Sequence, residues 1–301
     1  MLFRSTNKNA FIYSVLIACI LYSNVIIKAH ANDVRIISPR SNIDPVYDYF
    51  LELTRLVLSK NTHLYSKVNL VVIGGEEVTQ SRSLTLLNHG YADLIWSGYT
   101  AKRDADYLPI RIPLFRGLLG YRVLLIRQED KEKFLQIKTP DQLKKLIACQ
   151  GDHWPDSDIL EANGYLVLRV RNFKPMFRML SKKRCDYFPR SIYEGYSEQR
   201  EAIKHFPNII LMDELILHYN YPFYYYVNKN NVALAERVEK GLMTALADGS
   251  LIKLMKTHNV SKHLFPLIQW KDKRYFELTN EALGNKSSLK NDSFWIDLQT
   301  Q

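Results

Sequence analysis

The residues of this chain that could do chemistry are mostly ones that grip and stack. Around residue 100 the chain reads Trp96-Ser97-Gly98-Tyr99-Thr100-Ala101-Lys102-Arg103. That places an indole, the aliphatic hydroxyls of Ser97 and Thr100 and a guanidinium close together. A guanidinium can hold a carboxylate through two parallel hydrogen bonds. Arg103 either does this or sits as a surface cation. Trp96 either stacks on a ligand or ends a buried strand as core. Further on, Gly151-Asp152-His153-Trp154 leads into a helix start. Free N–H groups at a helix start favour anions, and Gly151 lets backbone come close. Trp154 is then a lid, or it packs beneath its own loop. Asp156 and Ser157 read as helix caps rather than ligand groups. Arg190 faces a ligand or pairs with Glu194. Arg82, near the start of another helix, completes the candidates.

Several chemistries lack their signatures. There is no HExxH, GxxxxGK, GxSxG or GxGxxG. His258 and His263 are spaced onto different helix faces, and no Cys/His cluster has metal-ligand spacing. No cofactor, no metal and no catalytic residue is expected. The formal charge of +10 is spread along the chain without a long Lys/Arg run. It gives a basic surface, or a field that favours an anionic ligand or an anionic membrane. Nucleic acid is not an expected partner.

The N-terminus has the form of an export signal. Arg4 and Lys8 precede an apolar run from Ala10 to Ile27, and Ala29-His30-Ala31 offers small residues for cleavage. We read 1–31 as a signal peptide. An uncleaved anchor and a lipoprotein acylated at Cys19 are the alternatives. The mature protein would be soluble, periplasmic and monomeric, with a net charge of about +7. It would keep Cys149 and Cys185, bridged or as free thiols.

The elements that must position the candidates alternate between strand and helix. Strands are expected at Val34–Ile37, Val68–Ile73 and Ala92–Trp96, with helices over Tyr47–Lys60 and Thr79–Asn88. A second set starts with the strand Tyr121–Ile126. The helix after it is opened by Thr139 as N-cap, Pro140 at N1 and Gln142 closing a capping box. The strands Ile147–Gln150, Leu166–Val170 and Cys185–Phe188 alternate with helices Ser157–Asn163 and Pro175–Lys182. The strand Pro222–Val227 and helices Val232–Ala247 and Ser250–Lys256 follow. The polar tail from Lys271 reads as a surface extension. This alternation implies an α/β fold with mainly parallel, helix-covered sheets.

Six segments, in order, resemble the type 2 periplasmic solute-binding proteins related to polar amino acid receptors (family 3 extracellular solute-binding proteins). They are Asp93-Leu94-Ile95-Trp96 with Thr100-Ala101-Lys102-Arg103, then Tyr121–Ile126, Lys138–Leu143, Cys149-Gln150-Gly151, Arg184–Tyr187, and Tyr224–Lys229 with Leu234–Gly249. Leu242–Leu251 is the closest part. The resemblance covers about residues 33–270.

It implies two lobes joined by two crossing strands, with ligand bound in the cleft between. Lobe one would be 33–121 plus 222–270, lobe two 122–221, and 271–301 a C-terminal extension. Arg103 would clamp a ligand carboxylate, helped by Ser97 and Thr100. Arg190 stands near where such receptors carry an Asp for the ligand ammonium, which turns the expectation toward a second acidic group on the ligand. Guanidinium groups would then grip an anion from opposite walls. The implied function is binding of a small polar, anionic or amino-acid-like solute for a permease or a membrane sensor. An enzyme of dehydratase type, using Asp152 or Asp186, and a regulatory protein that kept the fold but lost the ligand are the rivals.

Overall fold

A computed structural model describes residues 33–38, 45–74, 80–283 and 292–300. The signal segment with Cys19 and the Asn285–Ser288 stretch lie outside them.

One lobe starts with β1 (Asp33–Ile37), α1 (Pro45–Leu58), β2 (Asn69–Ile73), α2 (Gln80–Asn88), β3 (Ile95–Gly98), α3 (Ala101–Asp106) and β4 (Leu108–Ile110). The other contains β5 (Tyr121–Arg127), α4 (Lys131–Leu135), α5 (Pro140–Leu143), β6 (Ile147–Gly151), α6 (Pro155–Ala162), β7 (Leu166–Val170), α7 (Phe173–Ser181), β8 (Tyr187–Ser191), α8 (Gly195–Ala202) and β9 (Ile209–His218). The chain returns to the first lobe through β10 (Phe223–Val227), α9 (Val232–Ala247) and α10 (Ser250–Thr257), and reaches β11 (Arg274–Glu277).

In the first lobe β1 and β2 pair in parallel, while β10 lies antiparallel between β3 and β4. The amphipathic face of α1 buries Tyr49, Phe50, Leu53 and Val57, spaced for one side of a helix. The second lobe carries a six-stranded sheet in the order β11-β9-β5-β8-β6-β7. All seven residues of β5 are buried, as expected for a central strand covered on both faces. The ladder between β5 and β9 breaks between Arg122 and Leu124, where β9 bulges. The capping box of Thr139 and Gln142 forms as its residue types require. Cys149 and Cys185 form a disulfide with Cα atoms 5.6 Å apart, which resolves the two alternatives for that pair.

Three expectations need adjustment. The strand expected at Ala92–Trp96 runs instead over Ile95–Gly98, because the Asp93 carboxylate accepts both the backbone N–H and the guanidinium of Arg35. The strand expected at Cys185–Phe188 begins at Tyr187, after Asp186 has accepted the N–H of Ile147. The tail is not only a surface extension. Its strand β11 pairs in parallel with β9, and Phe276, Leu278, Leu283, Ile296 and Leu298 are buried.

Candidate functional site

A cavity of about 90 Å³ lies between the lobes. One water needs roughly 10–15 Å³ of such space, so the cavity has room for a group of several atoms. Its two walls differ in chemistry. The first lobe supplies Tyr47 and Phe50 from α1, Ser83 from α2, Trp96 from β3 and Phe223 from β10. Phe50 stacks on Trp96 at 5.2 Å and on Phe223 at 5.3 Å, making a continuous aromatic face. The second lobe supplies Arg122, Trp154, Asp156, Arg190 and Glu194, and the crossing segments add Leu119 and Tyr221.

The charged wall is internally paired. Arg122 Nη2 lies 2.6 Å from Asp156 Oδ1, and the Tyr219 hydroxyl donates to the same oxygen at 2.5 Å. The Arg122 guanidinium also sits over the Tyr221 ring at 4.9 Å. Arg190 makes a two-pronged contact with Glu198, at 2.5 and 2.7 Å. Glu194 lies 2.9 Å from Arg190 and 3.6 Å from Arg122, so it links the two clusters. Burial works against the positive charge of Arg122, but Asp156, Tyr219 and Glu194 more than offset it and its pKa rises. For Arg190 burial is again the opposing influence, and Glu194 and Glu198 overcome it. Both guanidinium groups therefore stay charged.

No protein-family model matches the chain, and no curated protein sequence does. Solved structures do. An ancestral arginine-binding protein bound to arginine superposes with a TM-score of 0.57 at 15% identity, covering 76% of this chain and 98% of that one. A histidine kinase sensor domain with similarity to periplasmic binding proteins gives 0.56 at 15% identity over 76% of this chain and 96% of its own. An ancestral amino acid-binding protein, a precursor of cyclohexadienyl dehydratase, gives 0.54 at 15% identity over 78% and 98%. The chain has a type 2 periplasmic-binding-protein fold.

Within this periplasmic-binding-protein fold the expected residues are distributed unevenly. Trp96, Trp154 and Arg190 line the cavity. Arg103 does not. Its side chain is buried, and Nη1 donates to the Gly98 carbonyl at 2.6 Å. Burial lowers its pKa. Thr100 caps α3 by accepting the Arg103 N–H, and Ser97 is fully buried in β3 opposite Tyr224. Arg82 is exposed on α2, while its neighbour Ser83 lines the cavity. Two guanidinium groups do face the space, but they are Arg122 and Arg190 on one wall. The expected opposed pair of Arg103 and Arg190 is not formed. Arg190 pairs with Glu194, and with Glu198 besides. Asp186 bonds to Ile147, and Asp152 lies beside His153; neither lines the cavity.

Gly151 and Trp154 act as one unit. A Cβ on Gly151 would lie 2.4 Å from the indole, so only glycine lets the ring lie flat against the strand end. The ring also carries the Arg190 guanidinium at 4.8 Å. Trp154 is itself the residue before α6, and Asp156 lies in the first turn instead of capping it. Its carboxylate points to Arg122.

Sequence reasoning missed Arg122, Asp156 and Glu194 as cavity residues. Arg122 had a signal, being the one charge within the otherwise apolar run Tyr121–Ile126. Asp156 was hidden by its position at a helix start, where a capping role is the ordinary explanation.

Proposed function

We propose that this chain is an exported solute receptor that closes its lobes over a small zwitterionic, amino-acid-like molecule. The observation that carries this reading is the pairing of an aromatic wall with a charge-balanced wall. A carboxylate can take the guanidinium groups of Arg122 and Arg190, and an ammonium can take Asp156 and Glu194. The apolar body of the solute would lie on Phe50, Trp96 and Phe223. A ligand with only negative charge would leave those two carboxylates facing it, which disfavours a simple anion. Few polar groups placed in an apolar cavity is the usual design of small-molecule sites. The arginine-binding and amino acid-binding proteins of the same fold support the same class. The basic, apolar and A-x-A pattern at residues 1–31 supports export, and delivery would be to a permease or a membrane sensor.

A thermal-shift panel of amino acids, dicarboxylates and polyamines tests this. A bound solute at a hundred times its dissociation constant adds about 2.7 kcal/mol to stability. Zwitterions are expected to raise the melting temperature and dicarboxylates to leave it unchanged. If no amino acid shifts it, the receptor reading is lost.

One observation favours a second reading, a regulatory partner that keeps the fold without a ligand. Every ion lining the cavity already has a counter-ion on its own wall. Binding to a membrane protein that proceeds unchanged in amino-acid-free medium would support it. An enzymatic role would need a cavity carboxylate free to take a proton, and Asp156 and Glu194 both touch guanidinium groups.

A further inference from the structure

The tail does more than add a strand to the second lobe. Its β11 lies in parallel on β9, with Glu277 opposite His218, and Leu278 donates its N–H to the His218 carbonyl at 2.8 Å. Phe276 and Leu278 are buried there. The next residue is held from α6. The Asn163 side chain, at the end of that helix, donates to the Thr279 carbonyl at 2.8 Å and accepts the Thr279 N–H at 3.0 Å. All these partners belong to the second lobe.

Four residues later the chain is anchored in the other lobe. Leu283 is 5% exposed and joins the cluster of Leu84 and Leu87 from α2, Ile95 from β3, and Tyr224 and Tyr226 from β10. Between the two anchors, Asn280 donates to the carbonyl of Asn220 in the second crossing segment at 2.9 Å. The end of the tail lies on the first crossing. Ile296 donates its N–H to the Arg116 carbonyl at 2.8 Å, and Leu298 donates to the Tyr121 hydroxyl at 3.1 Å. Gln299 then donates to Glu277, on β11 itself, at 2.7 Å. The tail thus touches both lobes and both crossings.

A two-lobed molecule opens by rotation about its crossing segments. Such a rotation changes the distance between anchors that lie off the axis. Asn163 on α6 and the leucines of α2 are both outside the crossings. The span between them has little slack. Glu281–Leu283 form a single 3-10 turn, closed by the Leu283 N–H on the Asn280 carbonyl at 3.1 Å. Drawing those three residues out to full extension yields only about 4 Å. Beyond that the buried leucine must leave its cluster, which exposes apolar surface to water.

We propose that residues 279–283 form a third connection between the lobes, a clasp that limits how far the hinge opens. The two crossings set the axis and the clasp sets the stop. The stop acts on the empty chain as much as on a loaded one.

Spin labels on Lys102→Cys in the first lobe and Lys182→Cys in the second test this in the mature chain without any solute. Both positions are exposed, and the Cys149–Cys185 bridge leaves no other thiol to react. Pulsed electron resonance is expected to give a narrow distribution of distances. Inserting Gly-Ser-Gly-Ser between Asn280 and Glu281 keeps both anchors and adds up to about 13 Å of reach. That variant is expected to extend the upper end of the distribution by about 5 Å or more. Leu283→Ser should do the same, while Leu283→Met should leave the distribution narrow. If Leu283→Ser does not fold, the insertion still decides. An upper limit unchanged by the insertion would overturn the proposal. So would a parent chain already as broad as its variants, or broadening in Leu283→Ser alone, which would make that leucine only a piece of the core. Because no amino acid is present, a failure here leaves the receptor reading to its own test.

Discussion

Arg122 and Asp156 hold each other at 2.6 Å with 3% and 6% of their side chains exposed. The arginine does so from a strand whose every residue is buried, beside the bulge in its ladder with β9. Bulges commonly re-aim a side chain near a functional site. Such a pair contributes little net stability, yet removing one partner strands a desolvated charge.

Asp156→Asn should therefore destabilise the protein by about 3 kcal/mol, the low end for a broken buried pair because Glu194 remains near Arg122. Urea unfolding measures it. Replacing both partners, as Arg122→Met with Asp156→Leu, should recover most of that loss while abolishing solute binding. A double variant that still binds amino acids would remove this pair from the site.

Gly151→Ala should cost about 1–3 kcal/mol, the usual range for overpacking. The added methyl displaces the Trp154 ring, and with it the surface under Arg190. The fluorescence of Trp154, isolated as a difference from Trp154→Phe, should shift to the red. Unchanged emission and stability would mean the ring is not held as described.

The Cys149–Cys185 bridge closes a loop with a sequence separation of 36. Chain-entropy arguments assign such a loop about 4 kcal/mol, and Cys149→Ser with Cys185→Ser should lose a large part of it. Equal unfolding midpoints with and without a reductant would contradict a structural role for the bridge.

The melting temperature should decline on acidification between about pH 7 and pH 5. Burial lowers the His263 pKa below 6.5, aided by Arg200, while the bond to the Ile192 carbonyl opposes this. The folded pKa is thus below the unfolded one. The unfolded chain takes up the proton first, so the stability present above pH 6.5 is withdrawn as pH falls toward the folded value. His258 moves in the same direction, against Glu52 and Asp48. His263→Gln can still donate to Ile192, and it should flatten the decline between those pH values. An unaltered slope in that variant would assign the effect elsewhere.

Much of the fold was readable because its elements carry local signals. Leu166–Val170 and Val232–Ala247 have the expected ends, each set by a clear apolar pattern and a stop residue. Strand β9 was missed, although it is ten residues long. Asp213 and Glu214 interrupt its alternation, and they fall in the bulge where no alternation is needed. The tail misled for a related reason, since its apolar residues are spaced widely and find partners only in three dimensions. At the site, Trp96, Trp154 and Arg190 were readable as residue types that bind. The partners of Arg190 were only half readable: Glu194 was close in sequence, but Glu198 depends on α8, whose helix gave no strong pattern. Arg103 drew attention through its motif, and its side chain turns back to Gly98 instead.

The location of the counter-ions bears on how the lobes can move. Each cation lining the cavity meets its anion without crossing the gap, so separating the lobes breaks none of these ion pairs and loses only the longer-range attraction of Asp156 for Arg103. Opening should then depend only weakly on ionic strength, and the equilibrium between shut and open forms would be governed chiefly by how well the ring-lined face is wetted. A receptor of the proposed kind, built this way, can rest closed while empty, and its solute would have to displace an existing set of contacts instead of filling a vacant electrostatic hole.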